Sequence, residues 1–223
     1  MAQIENFLGI PMEKIFTSIE ETLYMVSISL IIGAVLAFII GIALVFTKKG
    51  GLYENKVIYT VINVIINVIR STPFVVLLIA VMPLTKAIIG TRIGPTAAIV
   101  PLTIYIVPFL ARLIENSLLD TGKGIYEAAK SMGATPFQLI FYFILPEAKG
   151  SLILSITTGI VGLIGSSAMA GYIGGGGIGS LVLNYGYNRF NFELMYTLVV
   201  FLIIVTQFIQ SLGSNLSVKA RTN

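Results

Sequence analysis

The sequence contains no cysteine and no histidine. Those absences exclude thiol chemistry, disulfides, Cys/His metal sites and the side chain that ordinarily moves protons near neutral pH. Charge is scarce as well, at 11% of 223 residues, against about 25% in soluble domains. With 56% hydrophobic residues, the composition is that of a membrane protein. The net charge of +4 is too small to suggest nucleic-acid binding and suits uneven loops across a bilayer. A positive leader is lacking too: Glu5, Glu13, Glu20 and Glu21 face Lys14 alone near the start, so no secretory signal is expected. Residues 4–19 carry Phe7, Leu8, Ile15, Phe16 and Ile19 in a partly amphipathic pattern. That pattern reads either as a segment lying on the membrane surface or as a solvated lead-in to the first span.

What is present in abundance is long apolar sequence. A spanning helix needs about 20 mostly apolar residues, and five stretches qualify: 23–46, 57–81, 94–114, 151–171 and 194–212. In the first, Gly33, Ala37 and Gly41 form a small-residue stripe suited to close helix packing. The second carries Thr60, Asn63, Asn67 and Ser71 at helical spacing, with Arg70 beside them. Polar groups at membrane depth are expensive, so this stripe is expected to face protein or a water-filled path. The plainer reading has Arg70 snorkelling to the nearer surface. Pro73 is expected to kink this helix, and Pro95, Pro101 and Pro108 to bend the third, with Arg112 marking its cytoplasmic end. Ser155, Thr158, Gly162, Ser166 and Ala170 give the fourth span a small-residue face.

Positive charge sets the expected orientation. Lys48, Lys49, Lys56, Arg112, Lys123, Lys130, Lys149, Lys219 and Arg221 fall on one side, against Lys14, Lys86, Arg92 and Arg189 on the other. The excess of nine over four places the C-terminus inside and the N-terminus outside. The fold class predicted is an all-α membrane protein of five transmembrane helices, one transmembrane domain over residues 1–223. No long internal repeat supports an inverted-repeat secondary transporter.

Residues 120–147, DTGKGIYEAAKSMGATPFQLIFYFILPE, interrupt the apolar chain with charge, glycine and proline. They read as a short helix, a turn at Gly133, and a second helix opened by Thr135 as N-cap and Pro136 at its first position. Ile125, Ala128, Ala129 and Met132 share one face, opposite Glu127 and Lys130, and Pro146 is expected to close the second apolar run. A small-residue face turned outward from a cytoplasmic helix is suited to a partner's groove.

Other motifs carry less. Gly174, Gly176 and Gly179 match a G-x-G-x-x-G spacing, but they follow an apolar span and Ser180 stands where a phosphate loop has lysine. No ATP site is expected in this chain. A glycine run at the end of a pore helix suits a flexible or tightly packed gate. Glu115, Asp120, Glu127 and Glu147 are explained by capping and solvation, with Asp120 a helix N-cap near Thr121. Tyr185, Tyr187, Phe190 and Phe192 read as interfacial aromatics on the outer side, or as a docking patch.

Glu127-Ala128-Ala129, three residues, Gly133, and a spacer ending in Leu145-Pro146 resemble the EAA loop of ABC importer permeases, EAA-x3-G-x9-I-x-LP, with Phe143 at the usual Ile. Arg70-Ser71-Thr72-Pro73-Phe74, Ile125 to Ala129, and Met169-Ala170-Gly171 through Gly179 are similar to the methionine importer permeases in particular. That resemblance implies a prokaryotic plasma-membrane permease subunit, not itself an enzyme. It implies a second copy of this chain, two copies of a separate ATPase that binds ATP and Mg, and an extracytoplasmic substrate-binding protein. No cofactor is expected in the chain itself. Glu127, Ala128, Ala129, Met132 and Gly133 are then expected to engage the ATPase. Asn63, Asn67, Arg70, Ser71, Ser166, Met169 and Gly171 are expected along the translocation path, with Met169 at its gate. The implied cargo is methionine, as D- and L-isomers. Alternatives are another small amino acid or, on a different mechanism, an ATP-independent transporter or channel.

Overall fold

The computed structural model describes residues 7–121 and 123–222, and regular structure among them is helical throughout. Helix α1 spans Met12–Thr47. At 1.5 Å per residue its 36 residues reach about 54 Å, beyond the roughly 30 Å of a hydrocarbon core. It therefore begins well before the expected 23–46. Residues 12–19 form the first turns of this helix, with Phe16 exposed. Leu8 and Ile10 are buried with Ile178, Leu181, Leu194 and Leu198, while residues 4–6 lie outside the described residues. Apolar partners from distant segments decide this, and local sequence does not contain them.

The second apolar stretch is broken rather than bent. Helix α2, Lys56–Ser71, starts at Asn55, whose side chain accepts from the N–H groups of Val57 and Ile58 at 3.0 Å. Helix α3, Phe74–Ala80, leaves it at 107°. Proline excludes helical backbone from the residue before it, and Thr72 is accordingly extended at φ −82, ψ 124. A short helix α4, Met82–Ile89, absent from the sequence reading, ends at Gly90 in the left-handed region, φ 86.

Helix α5, Pro95–Leu119, is the buried axis, with Leu102, Ile106, Leu110 and Ala111 fully buried. It runs five residues past the expected end, so Arg112 does not mark a terminus. The stripe on α1 packs against it as expected: Gly33 abuts Ile106, and a Cβ on Gly41 would lie 2.8 Å from Ile114. Asp120 caps the C-terminal end of α5 rather than a helix start, its N–H donating to the carbonyl of Asn116 at 2.9 Å.

Helix α6 is Lys123–Ser131, and α7 runs unbroken over Pro136–Ile173. Pro146 does not close an apolar run. A π-helical segment over Leu139–Ile144 widens the helix just before it, and such a bulge accommodates a residue without an N–H. After the glycine loop come α8, Gly177–Leu181, a π turn over Val182–Tyr187, and α9, Phe192–Thr222. Helix α9 seats on α7 where the Ser217 hydroxyl donates to the carbonyl of Gly150 at 2.8 Å. Helices α1, α5, α7 and α9 are each long and apolar enough to cross a membrane, and α2 with α3 qualifies as a fifth when the bent pair is counted as one span.

Candidate functional site

Helix α6 ends as the sequence predicts. Gly133 has φ 73, and the N–H of Ala134 donates to the carbonyl of Ala129 at 3.0 Å, a six-residue closure of the helix end. The chain restarts through a full capping box. The Thr135 hydroxyl accepts from the N–H of Gln138 at 3.3 Å, and the Gln138 side chain accepts from the N–H of Thr135 at 2.9 Å. The turn between α6 and α7 is therefore tight and bonded at both ends.

The expected outward face is divided. Ala128 and Met132 are exposed, as is Glu127, but Ala129 is fully buried in the core cluster that also holds Leu139 and Ile144. Ile125, one turn before it, is half-buried. The apolar stripe of this short helix is consumed by the chain's own α7, because that is the nearest apolar surface. Glu127 lines a cavity of about 240 Å³ with Lys48 and Gly51 from the loop after α1 and Leu118 from α5. The side chain of Lys130 lies outside the described residues.

A groove of about 550 Å³ gathers residues from three elements: Arg70 and Phe74 from the broken span, Tyr105 from α5, and Gly162, Ser166 and Met169 from α7. Met169 is half exposed to it, and Ser166 lies beneath, 5% exposed. Phe74 meets Tyr105 edge-on at 5.2 Å, and Tyr105 stacks on Phe109 at 6.1 Å. Three residues expected along a path, Arg70, Ser166 and Met169, thus line one concavity. Ser71 and Asn67 are exposed on α2 outside its lining, and the Ser71 hydroxyl donates to its own helix at Val68.

Two others lie elsewhere. Gly171 is buried against the backbone of Ser180, where a Cβ would collide. It belongs to a closely packed glycine loop. Gly174, Gly176 and Gly177 take φ of 84, 77 and 75, which favours glycine. The Glu21 carboxylate accepts from the N–H of Gly177 at 2.6 Å, and the Thr22 hydroxyl accepts from the N–H of Ile178 at 2.9 Å. The loop is clasped by α1 rather than free.

Asn63 is tied to Arg112, which donates to its side-chain oxygen through one guanidinium nitrogen and to Glu115 through another at 2.5 Å. Glu115 is 2% exposed, not solvated as expected. The missed signal was an Arg and a Glu three residues apart within helix that continues to Leu119. At the far end of the bundle from α6, Tyr185 sits between Lys14 and Arg189, whose charges lie 4.0 Å and 4.3 Å from its ring centre. The hydrogen bond from Lys14 lowers the pKa of its hydroxyl, and the charges of Lys14 and Arg189 act in the same direction, against burial.

Residues 30–217 match the family model described as binding-protein-dependent transport system inner membrane component. The chain belongs to that family. It is 46% identical over 213 residues, 96% of its length and 95% of the relative's, to a probable D-methionine transport system permease protein of Vibrio cholerae. It is 41% identical to the methionine import system permease protein of Bacillus subtilis, covering 93% of each chain. Its backbone superposes with a TM-score of 0.91, at 39% identity and over 94% of this chain and 97% of that one, on a chain from inward-facing conformations of a methionine ABC transporter. As in any inner membrane component of this family, the apolar helices are membrane elements.

Proposed function

We propose that this chain is the permease subunit of an ATP-driven methionine importer, acting as a homodimer with two copies of a separate ATPase and an external binding protein. The observation that carries the reading is the rigid junction at Gly133. A short helix with exposed Glu127, Ala128 and Met132 is joined through a bonded turn to one helix that runs to Met169 in the groove. From Pro136 to Met169 that helix measures about 50 Å, long enough to carry movement from one membrane face to near the other. The excess of Lys and Arg supports a cytoplasmic α6, within reach of an ATPase, with Glu21 and the glycine loop outside. Helix-in-groove docking of α6 needs little area beyond its exposed face and the turn.

In this reading, ATP closes the ATPase pair, and α6 and α7 move as one body. The groove around Arg70, Ser166 and Met169, facing its copy across the dimer axis, changes from inward-open to outward-open. ATP must bind the two states with different affinity for this to occur, and the binding protein outside biases the same equilibrium reciprocally. The likeness to inward-facing transporter structures supports assigning the conformation described here to the resting, inward-open state. Methionine is assigned as cargo from the relatives' names, D-methionine in one and methionine in another, and both enantiomers are proposed. The translocating chain contributes a non-enzymatic pore, and ATP and Mg belong to the partner.

The test is uptake of labelled D- and L-methionine into proteoliposomes holding the permease, its co-purified ATPase and the binding protein. Uptake requiring ATP and the binding protein is the expected result. Uptake without ATP, or driven by a proton or sodium gradient, overturns it. Competition by unlabelled amino acids reads the cargo directly.

A further inference from the structure

The geometry points to Arg112, held by Glu115, as a positioning residue that sets the rotation of α2 through Asn63 and thereby aims Arg70 into the membrane groove. This inference rests on the transport reading above. Helix α2 is loosely held: of its residues only Ile66 is buried. Most of its surface is apolar and exposed, Val57, Val61, Val64, Ile65 and Val68 among it. The polar stripe on the opposite face keeps α2 coarsely turned away from lipid, but apolar contact is non-directional and does not fix its rotation finely. A hydrogen bond is directional.

Asn63 supplies that bond. Its side-chain oxygen accepts from Arg112, and its amide nitrogen donates to the carbonyl of Tyr59 on its own helix at 2.9 Å. The amide is therefore fixed from both ends. Arg112 is fixed in turn, because its other nitrogen is paired with a carboxylate whose side chain is 3% exposed. A charge at this depth is costly unless paired, so the pair holds Arg112 in one place.

Position along both helices then gives the consequence. Arg70 lies seven residues after Asn63, and Tyr105 lies seven before Arg112. Seven residues are two turns, about 10 Å on the same face of a helix. One face of α5 thus meets the broken span twice, at Arg112 with Asn63 and at Tyr105 with Phe74. Between those two points lie Arg70 and the break at Pro73, both on the wall of the groove. Turning α2 by even part of a turn would carry Arg70 off that wall. Asn63, expected along the path, acts instead as the acceptor that keeps another residue there.

The experiment uses the assembled transporter in liposomes. The chain has no cysteine, so Ser71→Cys on α2 is its single thiol, labelled by a membrane-impermeant maleimide and read on the permease after it is separated from its partners. Asn63→Ala is expected to assemble with the ATPase normally, to change the labelling rate at position 71 severalfold, and to lower methionine taken up per ATP hydrolysed about fivefold. Asn63→Asp, which gives up the local bond to Tyr59 but keeps the acceptor for Arg112 and so the tie between helices, is expected to restore both readouts. Labelling and coupling ratio unchanged in Asn63→Ala overturn the proposal, as does loss of both in Asn63→Asp. Should Asn63→Ala assemble poorly, the same ratio is read in Arg112→Lys. That change keeps the charge beside Glu115 but loses the two-pronged reach. A wild-type ratio there overturns the proposal equally. Failure of the transport reading itself is distinguishable, since the unsubstituted protein would then show no ATP-dependent uptake.

Discussion

At the scale of single residues, burial separates positions that the sequence groups together. Ala128 and Ala129 are neighbours in one motif, yet one is exposed and the other fully buried. Ala129→Leu is therefore expected to overpack the seam between α6 and α7 and lower the stability of the purified protein by about 1–3 kcal/mol, read as a lower melting temperature in detergent. Gly133→Glu acts differently. Nothing lies within 4 Å of a Cβ there, but φ is 73, so the cost is local, about 1–2 kcal/mol of backbone strain. The chain should insert and remain folded while the ATPase no longer co-purifies; normal co-purification and uptake would remove α6 from the docking role. Tyr185 offers a pH test. Its hydroxyl is held below the ordinary value near 10 by Lys14, so Lys14→Met should shift its titration upward, measured as tyrosinate absorbance against a Tyr185→Phe control. Because the folded value is the lower one, the stabilisation it confers is complete only in alkaline solution above the unfolded value. It is lost as pH falls through the folded value.

At the scale of elements, α7 matters most, and the sequence divides it wrongly. Thr135, Pro136 and Gly133 announce the start correctly, because caps and left-handed turns are written in a few adjacent residues. Pro146 announces a stop that does not occur, since the π-helical segment over Leu139–Ile144 absorbs it. If α7 is a stiff connector, softening it should separate its two ends. Replacing Phe141 and Tyr142, both exposed, with glycine costs about 0.5 kcal/mol each in helix propensity and removes the stacking of Phe141 on Phe137. It is expected to leave ATPase binding intact while methionine uptake per ATP falls several-fold in proteoliposomes. Retention of full coupling would mean that movement reaches the groove by another route. The break at Pro73 is the opposite case: the sequence signals a disturbance but not its 107° extent. That angle depends on where α3 finds its partners, Phe74 on Tyr105 and Leu78 in the core.

At the scale of the whole molecule, the five apolar stretches, their order and the exceptional character of residues 120–147 are legible from composition and length alone. The burden a bilayer places on backbone and charge is strict enough to make them so. The candidate site is legible in part. Arg70, Ser166 and Met169 converge on one groove, whereas Asn63 is drawn aside to Arg112 and Gly171 is packed under the glycine loop. If the groove is the path, shortening Met169 should open it. Met169→Ala is expected to raise leak of methionine from loaded liposomes without ATP, and unchanged leak would return Met169 to simple packing.

The sequence by itself determined the membrane class, the apolar helices, the turn at Gly133 and the family, because each is carried by local composition or by a short run of neighbouring residues. Only the tertiary structure decided which face of α6 is free, how sharply the second span breaks, and which polar residues share the groove. It alone paired Asn63 with Arg112 and clasped Glu21 to the glycine loop. The reason is physical. A cap or a hydrophobic run is satisfied by the few residues beside it, but a buried charge or amide is satisfied by whichever distant helix the packing brings within hydrogen-bond reach.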